Sequence, residues 1–398
     1  MSTVGVFVFA LFTNPAAAQP TGCVSQLGHL PVTSALVQGE APVARDGVLY
    51  LVVSTNSSGT DYELLAIDVS DPASPRQVAS VDVPNELNCG MPAAISLEGH
   101  ELYVLTSSGL TLYDVSTPQA PARIRTLSSV ALPCGGVNPG LALNDDSLLA
   151  ISGHVFVIDR SLMRVPVPPP PTPPNNPVVR VLALDGAVPQ DVAINQDIAV
   201  VSTYAGLVSV DISTPATSVI RETLVVPGFP GTLAFDANGR LFVACNTTDY
   251  MVASVRPFAN PTPLNGIGTY SVLGNAVANS LYVSCSANLG ASVYWISDPA
   301  NAMLVGSSGP LFAESVAFLG STLVIASRDD GLFLLDVADC VGNPCPADFN
   351  VDGTADFFDY LDFASTFAAE EPAADFNRDG TVDFFDYLDF AQAFDVGC

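Results

Sequence analysis

The sequence contains no lysine. All 12 of its basic residues are Arg, set against 40 Asp and Glu, and the formal net charge is −28. A protein that tracks a phosphate backbone needs clustered cations, and none are clustered here. Docking on an anionic lipid surface is disfavoured for the same reason. Histidine occurs three times, as His29, His100 and His154. None has a partner at metal-ligating spacing, and each reads as a surface or turn residue. Nucleophile-elbow, phosphate-loop and dinucleotide fingerprints are missing too, so no common catalytic motif is present. Trp295 is the only Trp. A sugar-binding platform draws on several aromatic rings, which leaves that reading thin. No apolar run reaches the roughly 20 residues that cross a bilayer.

What the sequence does contain is apolar and acidic. Hydrophobic residues make up 49 % of the 398 positions, and mean hydropathy is +0.40. That is ample material for a large core and argues against disorder. Residues 4–12 (VGVFVFALF) form an apolar run followed by Ala16-Ala17-Ala18. This order predicts a secretory signal peptide over residues 1–18, cut after about Ala18. A buried first strand is the alternative. Eight Cys agree with export, since an even count in an exported chain implies disulfides.

Self-similarity organises residues 24–339. A β-rich run followed by Asp-aliphatic-Ser recurs as LLAIDVSDP (64–72), LTLYDVSTP (110–118), VFVIDRS (155–161) and LVSVDISTP (207–215). Weaker copies are MVASVRP (251–257), VYWISDP (293–299) and LFLLDVAD (332–339). Two strand-like runs precede each copy, and a fourth follows the first six. Seven units of about 45 residues match the period of propeller blades. The sequence therefore predicts an all-β, seven-bladed β-propeller over residues 22–340. The seventh unit lacks a fourth strand, while residues 27–37 (LGHLPVTSALV) look like an orphan one. Ring closure would join them, because an open propeller leaves sheet edges exposed.

That frame places Cys23 beside Cys340. It also puts Cys89 and Cys134 at equivalent positions in neighbouring units, and likewise Cys245 and Cys285. Either pair could form a disulfide if its Cα atoms approach within about 7 Å; otherwise these residues are small buried hydrophobes. The repeated Asp68, Asp114, Asp159, Asp211 and Asp336 could suggest a glycosidase carboxylate pair. Their recurrence at one place per unit argues instead for a strand-end turn. Residues 166–177 (PVPPPPTPPNNP) predict a stiff polyproline loop within unit three.

The Asp-Val-Ser-x-Pro phrase after an aliphatic strand resembles the LVIVD repeat of bacterial surface proteins, over roughly residues 40–340. The resemblance implies an extracellular propeller and says little of chemistry.

The tail carries the most specific pattern. Residues 348–367 (DFNVDGTADFFDYLDFASTF) and 375–394 (DFNRDGTVDFFDYLDFAQAF) agree at 16 of 20 positions with an offset of 27. Each copy has acids at loop positions 1, 5, 9 and 12, Asn at 3 and Gly at 6, the spacing of a helix-flanked calcium loop. Calcium takes six to eight hard oxygen ligands. The expected ligands of one Ca2+ are Asp348, Asn350, Asp352, Thr354 (through its carbonyl), Asp356 and Asp359. Those of a second Ca2+ are Asp375, Asn377, Asp379, Thr381, Asp383 and Asp386. Two apolar stripes are expected to pack together: Phe357, Tyr360, Leu361, Ala364 and Phe367 on one helix, and Phe384, Tyr387, Leu388, Ala391 and Phe394 on the other. Residues 345–398 hold 13 acids and one Arg, so metal binding should be coupled to folding.

Asp at position 12 and two tandem loop-helix units resemble a type I dockerin. The CPADFN opening at Cys345 and the terminal Gly397-Cys398 are more similar still to the GC-type dockerin-like anchor. The resemblance implies a small α-helical tandem calcium-loop domain over 345–398, attached to a cohesin-like or other surface scaffold. Cys345 and Cys398 would staple its ends, or Cys398 would be an attachment point. Phe357-Phe358 and Phe384-Phe385 stand where cellulosomal dockerins usually carry small polar residues. The expected protein is an exported, non-catalytic propeller displaying an interaction surface from a calcium-binding tail. The alternative is a carbohydrate-active component, hydrolase or sugar binder, of a polysaccharide-degrading assembly.

Overall fold

Among its described residues, the computed structural model has thirty short strands, which make up most of the regular structure. It describes residues 20–32, 35–36, 41–55, 61–84, 93–106, 108–130, 140–151, 154–164, 177–184, 187–246, 248–264, 272–278, 280–287, 289–296, 302–328, 330–340, 347, 349, 355–369, 374, 376 and 381–396.

The strands assemble into seven antiparallel sheets of four or five strands. Blade one shows why. Val48–Ser54 (VLYLVVS) is buried at every position, as a strand covered on both faces must be. The hairpin that leads into it turns at Asp46 and Gly47, both at positive φ (51° and 77°). That is the backbone of a tight two-residue turn whose twist matches its strands. Tyr62–Asp68 follows, and the outermost strand Arg76–Val83 is mostly open to solvent. Each blade thus runs from an apolar interior to a polar rim, which protects the outer edge.

The core lies between blades. Seven separate apolar clusters each join two neighbouring blades, from blades one and two round to blades seven and one. The last of these packs Leu49, Leu51 and Ile67 against Val324, Leu332 and Leu334. The ring is closed. The fold is an all-β, seven-bladed β-propeller, as the repeat period predicts. Trp295 lies in the cluster between blades six and seven.

Closure uses the N-terminal segment more fully than expected. Ser25–Leu30 pairs with Gly331–Asp336 as the outer strand of blade seven. The expected strand over 27–37 is shorter and starts earlier, because Thr21–Gly22 first adds to the edge of blade six and Ala35–Leu36 pairs with Val48–Ser54 of blade one. A disulfide joins Cys23 to Cys340 with a Cα separation of 5.1 Å. Of the two alternatives for Cys245 and Cys285, the second holds: both are free, buried thiols. Each sits inside a second strand, Leu241–Cys245 or Leu281–Ser286, and packs within a different interblade cluster. Cys89, Cys134, Cys345, Cys398 and the signal-peptide region lie outside the described residues. So does residue span 165–176 of the proline-rich loop, which connects the third and fourth strands of blade three.

Two helices, Phe357–Ala368 and Phe384–Val396, form the tail. They pack through Phe363 and Phe390, whose rings stack at 3.9 Å. The expected stripes are only partly right. Tyr360, Phe367, Tyr387 and Phe394 do face this core, but Phe357, Leu361, Phe384 and Leu388 are exposed. At about 100° per residue, Phe363 lies about 60° to one side of Tyr360, and Phe357 and Leu361 lie on the other side. The core takes the Phe363 side.

Candidate functional site

Two places bring chemistry-bearing residues together. The first is the tail. Asp356 precedes its helix and accepts a hydrogen bond from the Phe358 N–H at 2.8 Å. Asp359 accepts one from the Asp356 N–H at 2.8 Å, completing a capping box. The second helix repeats this: Asp383 accepts from Phe385 N–H at 2.8 Å, and Asp386 from Asp383 N–H at 2.7 Å. Tyr360 and Tyr387 link the copies through their hydroxyls at 2.9 Å. Asp359 and Asp386 are fully enclosed. An enclosed carboxylate is stable only with hydrogen bonds or a cation beside it. Capping is compatible with ligation, since an ionised carboxylate offers about four acceptor positions. Thr381 is described and exposed. Asp348, Asn350, Asp352, Thr354, Asp375, Asn377 and Asp379 lie outside the described residues. Among the described residues, no group of three or more acidic, His or Cys side chains could hold a metal.

The second place is the propeller channel, which sequence reasoning missed. A cavity of about 340 Å3 lies near the starts of the inner strands, and all seven blades contribute to its wall. Aliphatic side chains such as Val43, Ile95 and Leu141 share that wall with Asp191, Thr232, Asn275 and Glu314. Asp191 Oδ1 accepts the Val192 N–H, and its Oδ2 accepts the Leu233 N–H, both at 2.7 Å. Burial pushes its carboxyl up to about 7. Glu314 is ion-paired with Arg328, whose guanidinium lies 4.2 Å from the Phe312 ring centre. Nothing in the repeat phrase marks these positions, because they fall on inner strands where the phrase has no fixed residue.

The repeated aspartates take the turn role expected of them. Asp68, Asp159 and Asp211 each accept both the N–H and the hydroxyl of the Ser two residues on. Asp114 accepts the Ser116 N–H, and Asp336 the Ala338 N–H. Arg76 and Arg221 fork onto Asp68 and Asp211 from the outer strands. The Ser70 hydroxyl, then Arg76, holds the Asp68 carboxyl down to about 2. His29 is also structural, stacking on Phe333 at 4.4 Å and bonding to the Asp330 carbonyl.

Residues 59–83 match the LVIVD repeat. They span the third and fourth strands of blade one, the stretch with the closest copy of the recurring phrase. No curated protein matches the chain. Solved structures of similar shape match at low identity. A chain of a mitotic checkpoint complex aligns at TM-score 0.59 and 14 % identity, covering 84 % of this chain and all of that one. The Neurospora crassa Pan2 WD40 domain aligns at 0.58 and 11 %, covering 81 % of this chain and 96 % of its own. The WD40 propeller of Doa1 aligns at 0.55 and 11 %, covering 81 % and 99 %. At such identities the likeness is one of fold alone.

Proposed function

We propose that the chain is an exported interaction module: a propeller that binds a partner, held outside the cell by a tail that binds two Ca2+ and docks on a cohesin-like or other surface scaffold. The observation that carries this reading is the doubled tail. Two capping boxes of the same geometry each enclose a carboxylate at loop position 12, and the hydroxyls of Tyr360 and Tyr387 tie the copies together. The remaining donors of each loop are hard oxygens, which suit Ca2+. Phe357-Phe358 and Phe384-Phe385 are each more than 60 % exposed. Each pair is an exposed apolar patch at the start of its helix on an otherwise acidic unit, which supports a protein partner with an apolar face and basic rim.

Calorimetry of the full chain with calcium chloride tests the tail. The expected result is a stoichiometry near two, lost in stages when Asp359 and Asp386 are changed to Asn. Absence of heat at millimolar calcium overturns the reading.

The carbohydrate-active reading has one observation in its favour: Asp191 and Glu314 share the channel cavity. Among the described residues no aromatic ring lines that cavity to stack on a sugar. Turnover of any polysaccharide, abolished by Asp191→Asn, would favour that reading.

A further inference from the structure

Four adjacent blades break register at one level of the channel. Pairing between the inner and second strands slips between Pro189 and Asp191 in blade four, and between Pro230 and Leu233 in blade five. It slips between Val272 and Gly274 in blade six, and between Ala313 and Ser315 in blade seven. In blades one to three this level reaches residues 37–40, 85–92 and 131–139, which lie outside the described residues. A bulge adds a residue to one strand and re-aims its side chains, and such bulges concentrate beside functional sites. Here the added residues include Gln190, Thr232, Leu273 and Glu314, and all four line the cavity.

The wall these bulges build is rich in acceptors. No Arg or His lines the cavity among the described residues, and the chain has no Lys. Glu314 is already neutralised by Arg328. Asp191 forms no ion pair among the described residues; its hydrogen bonds come from two backbone N–H groups. Asn275 is 9 % exposed. Its Oδ1, like the Oγ1 of Thr232, is enclosed and has no hydrogen-bond partner among the described residues. An enclosed acceptor without a donor costs about 1–3 kcal/mol. Among the described residues, the wall therefore presents one carboxyl without a cationic partner and two unused oxygens, beside aliphatic side chains.

We propose that this cavity binds an alkylammonium or guanidinium group, with Asp191 as its countercharge and Thr232 and Asn275 as acceptors. The chemistry selects that class. A monocation with several N–H donors matches the single charge and the unused acceptors. A bare Ca2+ wants six to eight oxygens, whereas both Asp191 oxygens already accept backbone N–H groups and Glu314 is paired with Arg328. The aliphatic side chains suit the carbon stem, as they do for other amphipathic groups. The volume falls in the range of small-ligand sites. The group could arrive on a free amine or on a partner's Lys or Arg side chain. This ligand belongs to the propeller and is independent of calcium at the tail.

The test titrates the full chain, in saturating calcium, with n-butylammonium, butylguanidinium, n-butanol and a capped lysine (N-acetyl-lysine methylamide), followed by calorimetry and ligand-observed NMR. The expected result is saturable binding of the cations, with neutral butanol weaker by roughly tenfold or more. Asp191→Asn should weaken the cations by a similar factor, and Thr232→Val by a few-fold, each measured at a temperature where the variant's thermal melt shows it folded. If Asp191→Asn does not fold, Thr232→Val carries the comparison. Preference for butylammonium assigns a free amine, and preference for the capped lysine assigns a partner's side chain. Equal binding of butanol, unchanged affinity in the variants, or no saturation at about 10 mM probe overturns the proposal.

Discussion

Cys23 and Cys340 are 317 residues apart in sequence and 5.1 Å apart at Cα. Their bond locks the strand Ser25–Leu30 beside Gly331–Asp336 and so fastens the two ends of the ring. Joining residues this far apart removes much of the entropy of the unfolded chain, worth about 3–5 kcal/mol. The double variant Cys23→Ser/Cys340→Ser should remain a propeller but melt several degrees lower. Denaturant unfolding of both proteins checks this, and equal midpoints would refute it.

Asp249 is fully enclosed and accepts the Tyr282 hydroxyl at 2.6 Å and the Cys245 N–H at 2.9 Å. Burial pushes its carboxyl up to about 6, against an ordinary value of 3.8. Between these values the folded chain keeps a proton that the unfolded chain has released. Stability therefore falls as pH rises from about 4 to about 6, by about 3 kcal/mol, and then levels off. Asp191, raised to about 7, acts in the same direction. Asp249→Asn should remove the Asp249 share of this slope. Urea unfolding from pH 4 to 8 measures it; a difference from the parent that does not change with pH would count against this account.

The thiols of Cys245 and Cys285 are buried, and burial pushes the Cys245 thiol up to about 12 and the Cys285 thiol higher still. The thiolate is the reactive form. Neither residue should be alkylated by iodoacetamide in the native chain, and both should be alkylated in denaturant. Peptide mapping reads this directly, and a Cys245–Cys285 disulfide peptide would contradict it.

Phe363 and Phe390 form the centre of the tail core. Changing either to Ala should destabilise the tail by about 3–5 kcal/mol, whereas Phe357→Ala, on an exposed ring, should stay within about 0.5 kcal/mol. Hydrogen exchange of the helix amides in the full chain distinguishes the two. Similar protection loss in both variants would overturn the assigned core.

The blade number, the ring closure and the Cys23–Cys340 bond were all legible in the sequence. The recurring phrase marks the third strand of each unit, and counting strands leaves one missing at the end and one spare at the start. The aspartate turns were legible because a local Asp-x-Ser interaction depends only on residues two apart. The helix face of the tail was misjudged because Phe recurs on both sides of Tyr360. The sequence left open whether Cys245 and Cys285 pair, because equivalent strand positions in neighbouring blades do not guarantee that two thiols meet.

The sequence alone determined the β period, the blade count and the doubled acidic loop pattern, since each repeats within the reach of a few residues. The channel site was decided only by tertiary structure. Asp191, Thr232, Asn275 and Glu314 belong to four blades and share no sequence spacing. Only the closed ring and four bulges at one level turn them toward a common space, where enclosure from water gives a carboxylate and two idle oxygens their chemical meaning.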